Sequence, residues 1–260
     1  MVSLPWAIGG GLAGLLLGPL LNRAMDRLPR EGRGLLAPWA VCPRCHREVA
    51  LGHRIPVFGV WAHGRLCNFP FPWRPVAVET LTPPVFALTV WHLGATFETL
   101  VILAFLCILA VALVCDIERT LIPNRLVYPA LPLVLALAPL APPGSHWLGP
   151  SSYLNALAGA GSALGVFLMV YLLARGRMGA GDVKLATLIG AMLGFPMSLV
   201  ALGVAFVGGG IGALTLLALR RKGLQDTLPY GPFLVGGAVV ALFWGEDVLR
   251  TYLTLLWGAG

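Results

Sequence analysis

The stretch Leu100-Val101-Ile102-Leu103-Ala104-Phe105-Leu106-Cys107-Ile108-Leu109-Ala110-Val111-Ala112-Leu113-Val114-Cys115-Asp116 decides what kind of fold this is: an uncharged apolar run that ends on an acid. About 20 mainly apolar residues cross a bilayer as a helix, and this run with its flanks is long enough. The rest of the chain has the same character. Of its 260 residues, 58% are hydrophobic and only 11% are charged, where soluble domains carry about 25% charged residues. An ordinary soluble domain is excluded.

Working outward, Pro, Gly and charge clusters cut the chain into eight apolar runs, near 5–21, 76–93, 99–115, 126–141, 152–174, 185–202, 203–219 and 232–250. The sixth and seventh are parted close to Gly208-Gly209-Gly210. The fold class expected is all-α: a polytopic membrane helix bundle of about eight transmembrane helices with one small irregular cytosolic insert. The expected domains are a first transmembrane helix at 1–21, a Cys-containing insert at 22–75 and a transmembrane catalytic bundle at 76–260. The first run has no basic leader, and Asn22-Arg23 follow it directly, so it reads as a retained span and not a signal peptide.

The basic residues orient the bundle. Nine of the 18 Lys and Arg lie from Arg23 to Arg74; the others are Arg119 and Arg125, then Arg175, Arg177 and Lys184, then Arg220, Arg221 and Lys222, and last Arg250. With eight spans the first four groups share one side, which the positive-inside rule assigns to the cytosol. The net charge of +7 is then a property of topology. It calls for a lipid bilayer as partner and for no nucleic acid.

The insert contains Cys42-Pro43-Arg44-Cys45 and a later Cys67. A CxxC hairpin is a zinc-gripping element, but structural zinc takes four ligands. Cys42, Cys45 and Cys67 are the candidate metal ligands, with His46, His53 or His63 as a fourth; the alternative is a ribbon that has lost its metal. Glu79, entering the second run, suits the positive end of a helix dipole as well as it suits catalysis.

Asp116 closes the third span, and Asp182, in Met178-Gly179-Ala180-Gly181-Asp182-Val183-Lys184-Leu185, opens the sixth. The topology puts both at one membrane face. Two close carboxylates share a proton, one acting as base and the other as acid. That pair can hydrolyse an amide without metal or covalent intermediate. The competing reading has each acid solvated and paired, Asp116 with Arg119 and Asp182 with Lys184. Gly179 and Gly181 serve either close helix packing or the approach of an extended substrate backbone; Gly159, Gly161, Gly165, Gly208, Gly209, Gly210 and Gly212 read most simply as helix contacts.

Several segments together resemble one family. Asp116 to Ile122-Pro123-Asn124, Gly179-x-Gly181-Asp182-Val183-Lys184-Leu185 and Pro229-Tyr230-Gly231-Pro232-Phe233-Leu234 are similar to the signatures of type IV prepilin peptidases, as are Gly14–Asn22, Arg27-Leu28-Pro29, the Cys-bearing insert and Trp73-Arg74 to Glu79. The resemblance implies an aspartic endopeptidase of the bacterial inner membrane. Its partners would be type IV prepilin or pseudopilin precursors, whose basic leader it removes at the cytosolic face after a Gly. Asp116 and Asp182 take the catalytic roles by this resemblance; Gly179, Gly181 and Lys184 are the substrate-binding candidates. The resemblance also implies methylation of the new N-terminus with S-adenosylmethionine as co-substrate, while peptide cleavage requires no cofactor.

The chain departs from the family pattern in two places. Gly64-Arg65-Leu66-Cys67 lacks the first Cys of a second hairpin, and Gly18-Pro19-Leu20-Leu21-Asn22-Arg23 alters the opening signature. Both put zinc and methylation in question more than cleavage. The alternatives from other classes are a transporter or channel using Asp116 and Asp182 as ion or proton sites, and a non-catalytic scaffold docking a partner through the insert.

Overall fold

The computed structural model describes residues 4–29, 73–137, 153–174, 178–219 and 229–258. Among them lie eight helices and no strands: α1 Leu4–Arg27, α2 Trp73–Leu93, α3 Phe97–Arg119, α4 Asn124–Leu137, α5 Tyr153–Leu173, α6 Ala180–Leu193, α7 Met197–Ala218 and α8 Gly231–Trp257. Six are long and apolar enough to cross a membrane, namely α1, α2, α3, α5, α7 and α8. The chain is an all-α, multi-pass membrane protein. It divides into two compact units, Met1–Val111 and Ala112–Gly260.

In the first unit, α1 buries Ala7, Gly10, Gly14, Gly18, Leu21, Asn22 and Met25, one stripe at helical spacing. The three glycines make the contact possible. A Cβ at Gly14 would stand 2.8 Å from the Thr82 carbonyl oxygen, and one at Gly18 would stand 3.1 Å from the Cα of Glu79. Lipid tails are as apolar as leucine, so membrane helices associate by such close backbone approach. The start of α3 is capped by Thr96, whose hydroxyl accepts the Thr99 N–H at 3.2 Å while the Thr99 hydroxyl reaches the Gly94 carbonyl, as N-cap chemistry requires.

The second unit is built around α6. Ten of its 14 residues are buried, and it touches α4, α5, α7 and α8. A helix apolar on every side belongs in a core. It meets α5 where Gly159 and Gly190 lie backbone to backbone, so that a Cβ on either would strike the other's carbonyl.

Two expected boundaries move. The break between the sixth and seventh runs falls at Gly194-Phe195-Pro196, not near Gly208-Gly209-Gly210, which lie inside α7. Gly194 takes the left-handed φ of 69° that ends α6, and the Asn155 side chain accepts the Phe195 N–H there. Gly209 and Gly212 make room instead for the rings of Tyr230 and Phe233, while Gly161, Gly165 and Gly210 face open space and are not the helix contacts expected. The second correction concerns Glu79. Because α2 starts at Trp73, this acid lies in the second turn, outside reach of the dipole's end.

Candidate active site

Asp116 sits in the last turn of α3 and is 4% exposed; Asp182 sits in the first turn of α6 and is 9% exposed. Both belong to the second unit. Their surroundings follow from three local signals. Thr120, at φ 48°, ends α3, and Pro123 then precedes Asn124, the first residue of α4. Gly179, extended at φ −75° and ψ 138°, is the N-cap of α6. Pro232, which has no N–H, follows Gly231 in the first turn of α8.

That last turn supplies the contact that defines Asp116. The Gly231 N–H donates to its Oδ2 at 2.8 Å, across 115 residues of sequence. The amides of a helix's first turn have no partner within the helix and carry its positive dipole end, so α8 offers its N-terminus to an anion. Only glycine fits. A Cβ at residue 231 would lie 2.6 Å from the same oxygen.

Asp182 is held differently. Its carboxyl is pushed up to about 6, first by burial and then by the charge of Asp116, with a backbone hydrogen bond at Gly179 working the other way. The two acids therefore stand within each other's field, the condition under which one carboxylate holds a proton and the other does not. Neither acid forms an ion pair among the described residues. Lys184, one reading's partner for Asp182, donates instead to Asn124 Oδ1 at 3.0 Å and stands 4.9 Å over the Tyr128 ring. It ties α6 to α4.

Among the glycines, Gly181 has a packing reason of its own, since a Cβ there would be 3.2 Å from that of Ile122. At Gly179 the nearest atom to a Cβ is Asp182 Oδ2, at an ordinary 3.6 Å. Residues 42, 45 and 67, with the three histidines of the insert, lie outside the described residues. Among those described, no group of three or more His, Cys, Asp or Glu could hold a metal.

Two residues given no role by the sequence reading belong here. One is Gly231. The other is Tyr230, whose ring packs against Phe167, Phe206 and Phe233 with centroids 5.9, 6.2 and 5.9 Å away. Its hydroxyl is buried without a partner and is raised to about 12 by burial and by the charge of Asp182. The signal available was the Pro229–Leu234 segment itself, whose Gly-Pro reads as a helix start.

A buried carboxylate pair, one member cradled by a helix N-terminus and the other disposed to keep a proton, can act as base and acid toward a water and an amide. Comparison with known proteins also leads to a peptidase. The model of the type IV leader peptidase family matches residues 103–214, which include both acids, and that of the bacterial peptidase A24 N-terminal domain matches residues 12–93. A prepilin leader peptidase/N-methyltransferase of Pseudomonas aeruginosa is 30% identical over 93% of this chain and 91% of its own. The chain belongs to the type IV leader peptidase family. It is thus a peptidase. Other relatives with the same description include one from Legionella pneumophila, 28% identical over 97% of both chains, and one from Bacillus subtilis, 26% identical over 94% of this chain and 97% of its own. No solved structure matches this leader peptidase chain.

Proposed function

We propose that this chain is a membrane-embedded aspartic endopeptidase that removes the basic leader of type IV prepilin or pseudopilin precursors at the cytosolic face of the bacterial inner membrane. The observation that carries the reading is the burial of Asp116 and Asp182 in each other's field, with the Gly231 amide on one of them only. The family's name and those of the relatives support the substrate class.

The asymmetry assigns roles. Asp116, whose Oδ2 alone accepts a backbone N–H from a helix N-terminus, is the base that takes a proton from the attacking water. Asp182 starts protonated. It steadies the developing oxyanion and then gives its proton to the departing amide nitrogen, so that each turnover returns the shared proton to the pair. Gly179, where a Cβ would meet Asp182 Oδ2 at only an ordinary 3.6 Å, is the place for an extended substrate backbone; a helical substrate would keep its scissile amide bonded to itself.

Methylation of the new N-terminus with S-adenosylmethionine is proposed from the relatives' names, and a zinc ion held by Cys42, Cys45 and Cys67 remains a proposal of the sequence alone. The decisive experiment is cleavage of a pilin precursor by the purified chain in lipid nanodiscs. Leader release by the parent, and none by Asp116→Asn or Asp182→Asn proteins that keep their helical content, is the expected result. Release at the parental rate by either variant sinks the dyad.

A further inference from the structure

Among the buried side-chain atoms that lack a partner in the described residues are Asn22 Oδ1 in the first unit and the Tyr230 hydroxyl in the second. Asn22 has a packing role, since its Nδ2 donates to Glu79 Oε1 at 3.0 Å and to the Pro75 carbonyl at 3.2 Å and so pins α1 to α2. The Tyr230 oxygen has none. Its ring is closely held: Phe167, Phe206 and Phe233 pack on it, and a Cβ at Gly209 would come within 2.8 Å of its Cε2. Phenylalanine would fill that place as well, so a buried O–H that donates to nothing needs a reason beyond packing.

We infer that Tyr230 is a positioning residue for the proposed cleavage: its hydroxyl becomes a donor to Asp182 once that acid has given up its proton. The start of α8 places it for this. Gly231, the next residue, has its N–H on Asp116 at 2.8 Å, so consecutive residues bring a main-chain donor to one acid and a side-chain donor to the other. Asp182 lies near enough for its charge to act on the phenol, although the two are not bonded in this structure. That absence suits the cycle. Asp182 needs no such donor while it holds its proton; when the proton leaves, the free carboxylate turns to the hydroxyl, because the clamped ring cannot turn to it.

The proton balance of cleavage is unchanged. One proton passes from Asp182 to the departing nitrogen, another from water to Asp116, and Tyr230 keeps its own. Burial and the Asp182 charge hold the phenol up to about 12, so at working pH the hydroxyl serves an anion as a donor and does not act as a base. The other titratable groups on the elements around the pair are Glu118 and Arg119 beside Asp116 on α3, Arg125 and Tyr128 on α4, Tyr153 and Tyr171 on α5, and Lys184, which is turned to Asn124. Helix α7 has none, and those of α8 lie in its second half. Among them all, Asp116 is the one whose charge bears on Asp182.

The inference deepens the peptidase reading and rests on it for the reaction, while the contact of Tyr230 with Asp182 can be measured without substrate. Tyr230→Phe keeps the ring and removes the oxygen alone. In the full chain in nanodiscs it should lower kcat for leader release by about tenfold and move the alkaline limb of kcat/KM upward by about one pH unit, because Asp182 without its donor holds its proton more tightly. The titration of Asp182 should shift by as much. It is followed by NMR of isotope-labelled aspartate carboxyls and identified by the resonance missing in Asp182→Asn. Thermal stability should stay level or rise, since an unmet buried hydroxyl is removed.

A titration that does not move in Tyr230→Phe, or an unchanged kcat in a chain that cleaves, overturns the role of Tyr230 and leaves the dyad standing. Loss of rate and of thermal stability with the limb in place makes Tyr230 a packing residue and overturns the role equally. If the parent releases no leader and the titration still shifts, the peptidase reading falls and the contact between Tyr230 and Asp182 stands.

Discussion

The two units each bury carboxylates between membrane helices, and they treat them in opposite ways. Glu79 meets a donor, the Asn22 amide. Asp182 meets another carboxylate, that of Asp116, whose charge opposes its own. A buried acid with a donor is settled; one facing a like charge keeps its proton. Reactivity therefore follows from what the neighbour brings and not from burial, which is similar in the two places.

The sharpest break of this contrast is removal of a member of the reactive pair. Asp116→Asn and Asp182→Asn should each lower leader cleavage by about 100-fold to 10,000-fold, the usual worth of a positioned acid or base, measured by gel assay of precursor and product. Next comes Gly231→Ala, whose methyl would stand 2.6 Å from Asp116 Oδ2 and push the carboxylate aside. Displacing a reacting group by about an ångström can cost up to about 100-fold, so kcat should fall while helical content stays.

Stability separates the two kinds of acid by sign. Asp182 binds its proton more tightly folded, near 6, than unfolded, near 3.8. Its contribution to stability is greatest below the lower value, declines as pH rises through that window, and above about 6 it is a constant penalty. Asp182→Asn should therefore raise thermal stability at pH 7.5, by at most about 3 kcal/mol. Glu79→Leu removes the acceptor of Asn22 and should lower it by about 1–3 kcal/mol. Thermal unfolding in one detergent decides both, and a loss on Asp182→Asn would erase the contrast. Catalysis, which needs Asp182 protonated, should fall in kcat/KM on the alkaline side of about pH 6. The smallest effect is that of Lys184→Ala, which gives up one exposed hydrogen bond and a ring contact; about 1 kcal/mol of stability should be lost with little change in KM. A large rise in KM would restore Lys184 to substrate binding.

The class of fold and the two acids were legible in the sequence because both depend on local order: apolar runs, and acids where such runs begin or end. What escaped depends on distance. The bond from Gly231 to Asp116 spans 115 residues, and nothing in Pro229–Leu234 tells which anion the helix start will meet. The glycines of α7 misled for a related reason. In a chain rich in glycine, three in a row read as a break, yet Gly209 lies under the ring of Tyr230, the N-cap of α8, and Gly212 under that of Phe233 in its first turn. The true break at Gly194 carries only one glycine and one proline, and its polar backbone is satisfied from another helix by Asn155. The unpaired end of Asn22 escaped too, since an orphaned atom is visible only once its neighbours are in place.

The shortness of α6 has a consequence for depth. Fourteen residues rise about 21 Å, while the hydrocarbon of a bilayer is about 30 Å thick. If α6 stands across the bilayer, Asp182 and Gly194, at its two ends, cannot both reach a membrane surface. At least one polar end is then sunk beneath the headgroups and sheltered by protein. If it is the end that bears Asp182, the water consumed in hydrolysis must be drawn down from the surface, and bilayer thickness becomes a rate-setting quantity. Turnover in nanodiscs of graded acyl-chain length should then rise as the membrane thins, and a rate indifferent to chain length would put Asp182 at the surface.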